Sequence, residues 1–238
     1  MRLFAAVLAL IFVTVVPAQA SPRIVGGTAV GSISEYPWMV SLQSEGRQYC
    51  GGALVGPALV ATAAHCVANR TPGSIHVVGG RLDLRTADGI DAVVTKYQIA
   101  SGYTVPSMGA DIALVTLAQE MPYAVLPIAD KSVYVAGKAG TVLGWGVQHF
   151  GDMTKPAVLR QASIPIMADT VCAAAYPRYN AKAMFCAGYP QGGVDACTDD
   201  SGGPYIVDGR LAGVVSWGKG CAEPGQPGVY TRVTSYLY

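Results

Sequence analysis

The octet CTDDSGGP, residues 197–204, sets Ser201 behind two aspartates, Asp199 and Asp200, and ahead of two glycines. The glycines permit a tight turn whose backbone N–H groups converge on an anion, which would make the serine a candidate nucleophile. An ordinary loop is the lesser alternative for the octet taken alone. Peptide hydrolysis by an uncharged hydroxyl needs a base for its proton, a group that orients the base, and donors for the oxyanion that forms. A serine in this role therefore calls for an imidazole and a carboxylate elsewhere in the chain.

Two short motifs offer them. In TAAHC (62–66) His65 stands beside Cys66, so a disulfide would fix the backbone next to an imidazole. By itself His65 is better explained as a partly buried histidine. In ADIALV (110–115) Asp111 stands at the edge of an apolar strand. Either it is a turn residue facing water, or it enters the core and needs a buried partner, because an unpaired buried carboxylate is costly.

The opening MRLFAAVLALIFVTVVPAQA (1–20) has one positive charge, an apolar run from Leu3 to Val16 and small residues at Ala18 and Ala20, the layout of a secretory signal peptide. A membrane anchor is the alternative, but the run is shorter than the roughly 20 apolar residues that span a bilayer. Residues 21–23 then form a short propeptide, and the product is expected outside the cell. In that oxidising setting six cysteines predict three disulfides, with the pairing left open by spacing. The chain has 16 basic and 15 acidic residues; the first 23 residues hold two arginines and no acid, which leaves −1 beyond them. Such balance argues against nucleic acid or an anionic membrane as partner.

With 238 residues the chain has room for one domain or two, and its 29 glycines and 15 prolines interrupt short apolar or alternating runs. Strands are predicted at 38–42, 58–62, 75–78, 92–99 and 112–117, then at 141–145, 158–166 and 211–217. The two sets join around 123–132, which predicts two small barrels or a sandwich pair with a cleft between. The one helical signal is ADTVCAAAY (168–176), with Asp169 as its N-cap.

In the order His, Asp, Ser the three motifs resemble the chymotrypsin–trypsin family of serine proteases. The resemblance runs through IVGG (24–27), TAAHC, DIAL (111–114), GWG (144–146), CAGY (186–189), DSGGP (200–204), SWG (216–218) and PGVYTRV (227–233). It implies an all-β fold of two six-stranded antiparallel barrels, residues 24–128 and 129–238, with the active site between them. It implies Ser201 as nucleophile, His65 as general base and then acid, Asp111 as orienting carboxylate, and the N–H groups of Asp199 and Ser201 as oxyanion hole. It pairs Cys50 with Cys66, Cys172 with Cys186 and Cys197 with Cys221.

The same resemblance marks Arg23–Ile24 as an activation site, where cleavage of a zymogen would free an ammonium on Ile24 to pair with Asp200. Asp195 matches the floor of a trypsin-like specificity pocket, Gly218 and Gly228 its open sides, and Ser216 and Trp217 its wall. An aspartate there suits a guanidinium. Ala196 removes a hydroxyl that would help hold lysine, so cleavage after Arg is expected to exceed cleavage after Lys. The expected partners are such protein or peptide substrates and protein protease inhibitors, acting on a monomer that needs no cofactor. The set is similar to bacterial trypsins.

The pattern departs in three places. Asp199 stands where the family has glycine, which predicts backbone strain if φ is positive and a negative charge beside the developing oxyanion, hence slowed turnover. A secreted binding protein of protease shape is the alternative this raises. At the end, VTSYLY (233–238) stops where relatives continue into a C-terminal helix, which predicts uncovered apolar surface. Finally, the loop 79–91 lacks the paired glutamates of the animal-trypsin calcium loop; Asp83, Asp88 and Asp91 read as a solvated loop, His76 and His149 as ordinary residues, and no metal is expected.

Overall fold

The computed structural model describes residues 24–237. The predicted signal peptide and propeptide, Arg23 included, lie outside that range. A two-residue strand, Thr28–Ala29 (β1), is followed by Met39–Ser44 (β2), Arg47–Gly56 (β3), Leu59–Thr62 (β4), His76–Gly79 (β5), Ile90–Ile99 (β6) and Ala113–Leu117 (β7). Strands β2 to β7 close into an antiparallel barrel in the order β2-β3-β4-β7-β6-β5, with β5 returning to β2. β6 shows why: Ala92 and Val94 point inward while Asp91, Val93 and Thr95 face out, the period-2 alternation of a strand with one dry face.

The second set is Ala139–Gly144 (β8), Arg160–Pro165 (β9), Met184–Ala187 (β10), Pro204–Val207 (β11), Arg210–Trp217 (β12) and Gly228–Arg232 (β13). It forms a seven-stranded sheet in the order β1-β9-β8-β11-β12-β13-β10. Here the structure refines the expected six strands, because β1 adds itself to the edge of β9. The sheet curls until its ends meet only in the bridge between Ile166 and Ala187, backed by Met167 N–H to Cys186 O at 2.9 Å and Gly188 N–H to Pro165 O at 3.0 Å. Inside it Phe185 stacks on Tyr230 at 5.2 Å and meets Tyr205 edge-on at 5.1 Å.

A third apolar cluster, with Met39, Ile112, Leu126, Trp145, Leu211 and Val214 all fully buried, joins the two barrels. The one α-helix among the described residues, Asp169–Ala175 (α1), corrects the predicted cap: Ala168 is the N-cap and makes no side-chain bond, while Asp169 lies inside the first turn. Its carboxylate is drawn instead to Arg232, at 2.9 Å, and to the Tyr179 hydroxyl. The last described element is a one-turn helix, Val233–Ser235, beside a cavity of about 460 Å³ whose walls include Ile99, Ile112, Leu114 and Leu237. Among the described residues no helix is long and apolar enough to cross a membrane.

Candidate active site

The first barrel supplies an imidazole and a carboxylate. His65 sits in the one-turn helix Ala64–Cys66 just after β4, and the disulfide from Cys50 on β3 to Cys66 fixes its neighbour. Its Nδ1 lies 2.8 Å from Asp111 Oδ2, and its backbone N–H donates to Asp111 Oδ1 at 2.9 Å. Asp111 stands two residues before β7 and is fully buried. Ser216 Oγ donates to its Oδ2 at 2.5 Å, and Thr231 Oγ1 to its carbonyl at 2.9 Å. Each carboxylate oxygen thus meets a donor, the condition for burying an anion. With the ring hydrogen on Nδ1, Nε2 is the basic nitrogen. Ser216 was expected only as pocket wall; its bond to Asp111 spans 105 residues and has no local signal.

The second barrel supplies the hydroxyl. Ser201 lies three residues before β11, and its carbonyl accepts the N–H of Gly51 from β3 at 2.8 Å. Gly202 has a φ of 77°, and a Cβ there would stand 2.2 Å from Thr62 Oγ1. Glycine is thus required on both counts. His65, Ser201, Asp195, Ser216 and Trp217 line one cleft of about 430 Å³, together with Ala196, Gly218 and Gly228. Trp217 packs edge-on against Tyr176 at 4.8 Å.

Asp195 is only 3% exposed. Its Oδ1 accepts Ala196 N–H at 2.8 Å and its Oδ2 accepts Ala222 N–H at 3.2 Å. Burial nevertheless pushes its carboxyl up to about 7, because desolvation penalises the charged form. A Cβ on Gly228 would lie 2.4 Å from Asp195 Oδ1, so only glycine leaves that oxygen its space.

Asp200 turns the other way, into the second barrel. It is fully buried and accepts the N–H groups of Gly146 at 2.7 Å and Cys197 at 2.9 Å; burial raises it too, to about 7. The glycines of GWG make its room, since a Cβ on Gly144 would stand 1.9 Å from Oδ1. Ile24 is fully buried as well, and Val25 bridges to Asp195.

Asp199 has a φ of 72°. Its carboxylate is not free: Lys155 Nζ lies 3.0 Å from Oδ2, and the Gln48 amide donates to its carbonyl at 2.8 Å. Neither Lys155 nor Gln48 was singled out in the sequence.

All three expected disulfides are present, Cys50–Cys66, Cys172–Cys186 and Cys197–Cys221. The sulfurs of Cys50 and Cys66 and a His65 nitrogen lie within 4.8 Å of one another. A disulfide has no thiolate to offer, so this trio is not a metal centre. Asp83 is engaged by Arg85, which holds it down at about 2, and Asp91 meets His76 Nδ1 at 2.8 Å. His149 Nδ1 lies 3.2 Å from Asp152 Oδ2.

The sequence matches the trypsin family over residues 24–238. It is 42% identical to a trypsin of Saccharopolyspora erythraea over 218 residues, covering 90% of this chain and 94% of that one. It is 36% identical to trypsin I-P1 of Gallus gallus over 220 residues and to trypsin delta of Drosophila erecta over 224, each covering 90% of this chain and 86% of the relative. A match that starts at Ile24 and takes in every element of both barrels, with relatives aligned almost end to end, means that the chain belongs to the trypsin family and is a serine endopeptidase.

Proposed function

We propose that the protein cleaves peptide bonds after arginine, and less well after lysine, through an acyl-enzyme on Ser201. His65 takes the serine proton and returns it to the leaving amine; Asp111 holds the imidazole and balances its charge. The N–H groups of Asp199 and Ser201 receive the oxyanion. The observation that carries this reading is the Asp195 carboxylate, sealed at 3% exposure in the cleft that His65 and Ser201 also line. A buried acid raised to about 7 is neutral when it keeps its proton, and a long cationic side chain that reaches it favours the ionised form instead.

The protein is further read as a secreted monomeric zymogen, with signal peptide 1–20, propeptide 21–23 and barrels divided at residue 128. Cleavage after Arg23 frees an ammonium on Ile24 that pairs with Asp200. In favour stand the full burial of Ile24 and of Asp200, whose hydrogen-bond partners are backbone N–H groups. Protein inhibitors that offer an arginine or lysine would enter the same cleft.

A second reading rests on the φ of 72° at Asp199. Left-handed backbone costs a non-glycine residue about 1–3 kcal/mol, which lets the Asp199 N–H turn away and slows turnover; taken to its limit, this makes a protease-shaped binding protein. Matched Arg, Lys and Phe amide substrates, given to the protein after removal of residues 1–23, separate the two. The expected order is Arg above Lys, with Phe at background. No hydrolysis, no labelling of Ser201 by a sulfonyl fluoride and an intact fold would favour the binder.

A further inference from the structure

We propose that Lys155 is a positioning residue for this reaction. Its ammonium is shared between Gln48 and Asp199, and so holds the Asp199 N–H toward the oxyanion while cancelling the carboxylate that would oppose it. This rests on the reading of Asp199 as an oxyanion donor. An ammonium has three N–H groups, and Lys155 has three partners: the Gln48 carbonyl, Gln48 Oε1 at 2.6 Å and Asp199 Oδ2 at 3.0 Å.

Gln48 completes the strut. It is 5% exposed, and its amide nitrogen donates to Asp199 O at 2.8 Å and to Cys50 O at 3.2 Å. The Asp199 peptide is thereby tied to β3 through its carbonyl and its side chain together. β3 carries Cys50, whose disulfide reaches Cys66 beside His65. A positive φ that an aspartate would otherwise leave is held by two contacts, the Gln48 amide on the carbonyl and Lys155 on the carboxylate, and only the second needs a side chain at this position. The pair is partly exposed, with Lys155 at 27% and Asp199 at 31%, so its worth to overall stability is small. What it controls is local: the aim of one donor and the charge next to it.

The test uses protein cleaved after Arg23, an arginine amide substrate, and hydrogen exchange of the segment 197–203 followed by mass spectrometry. Removing an oxyanion donor outright costs about 100- to 1,000-fold in kcat. Loosening one through Lys155→Met is expected to cost about tenfold, with KM within about twofold and faster exchange in 197–203. Lys155→Arg keeps the charge and should restore both. Asp199→Gly alone should raise kcat by relieving the strained φ, and once it is in place Lys155→Met should cost less than about twofold. An unchanged kcat in Lys155→Met, an equal loss with Asp199→Gly in place, or unaltered exchange would each overturn the proposal. If exchange follows Lys155 while even the unsubstituted protein neither hydrolyses the amide nor takes up a sulfonyl fluoride, the catalytic reading of the cleft falls and Lys155's hold on the loop stands.

Discussion

Asp195 carries a titration that its partners can be asked to report. Its carboxyl is raised to about 7 by burial, so below that pH the empty pocket is neutral. A cationic arylamidine binds the ionised form, and its affinity is expected to fall about tenfold for each pH unit below about 7 and to level off above it. Isothermal calorimetry from pH 5 to 8 measures this directly. A flat profile would mean that the carboxylate is already ionised throughout, and the pocket more hydrated than its 3% exposure implies.

Among the elements, β8 has the least tolerance at its end. Gly144 closes the strand directly against Asp200, 1.9 Å from where a Cβ would begin. Gly144→Ala is expected to destabilise by about 2–3 kcal/mol, through overpacking beside a buried charge, and to lower Tm by about 4–12 °C. Thermal unfolding checks this; a shift under 1 °C would show that the loop 197–203 moves aside freely. Strands such as β2, β6, β7 and β12 were legible because apolar runs or alternation mark them. β3 was not, although it is ten residues long, because Gly51 and Gly52 at its centre look like a turn. They serve close approach instead: Gly51 lets the backbone at Gly203 come within 3.1 Å of its Cβ position. β10 and β11 carry no turn signal that sets them apart from the motifs they adjoin, CAGY and DSGGP, whereas β4 and β5, equally short, stand out as apolar runs. The same physics divides the site. His65, Asp111, Ser201 and Asp195 announce themselves in compact motifs, whereas Lys155 meets Gln48 across 107 residues and Asp199 across 44. Such loop-to-loop pairings leave no local pattern.

For the whole molecule, folding puts Asp200 out of water before any cation reaches it. In the uncleaved chain its carboxyl shifts from an ordinary 3.8 to about 7, so the folded state keeps its proton to higher pH than the unfolded state does. Stability is therefore fully present below about 4 and is lost as pH rises through about 7. Asp195 adds a slope of the same sign in either form. Pairing with the Ile24 ammonium should remove the Asp200 part, so the uncleaved protein should lose Tm more steeply between pH 4 and 7 than the cleaved one. Melting curves of both forms, in a Ser201→Ala background that prevents self-digestion, make the comparison; equal slopes would count against the activation pairing.

The two barrels are sealed unequally, and the weaker one is covalently hooped. Where β9 runs out and β10 begins, few backbone bonds hold the cylinder shut, yet Cys172 on α1 reaches across to Cys186 on β10. Reduction of that bond would leave a seam free to gape and two strand margins bare, an invitation to stick edge to edge. The expectation is that solubility falls under reducing conditions, through a bond outside the residues that line the cleft.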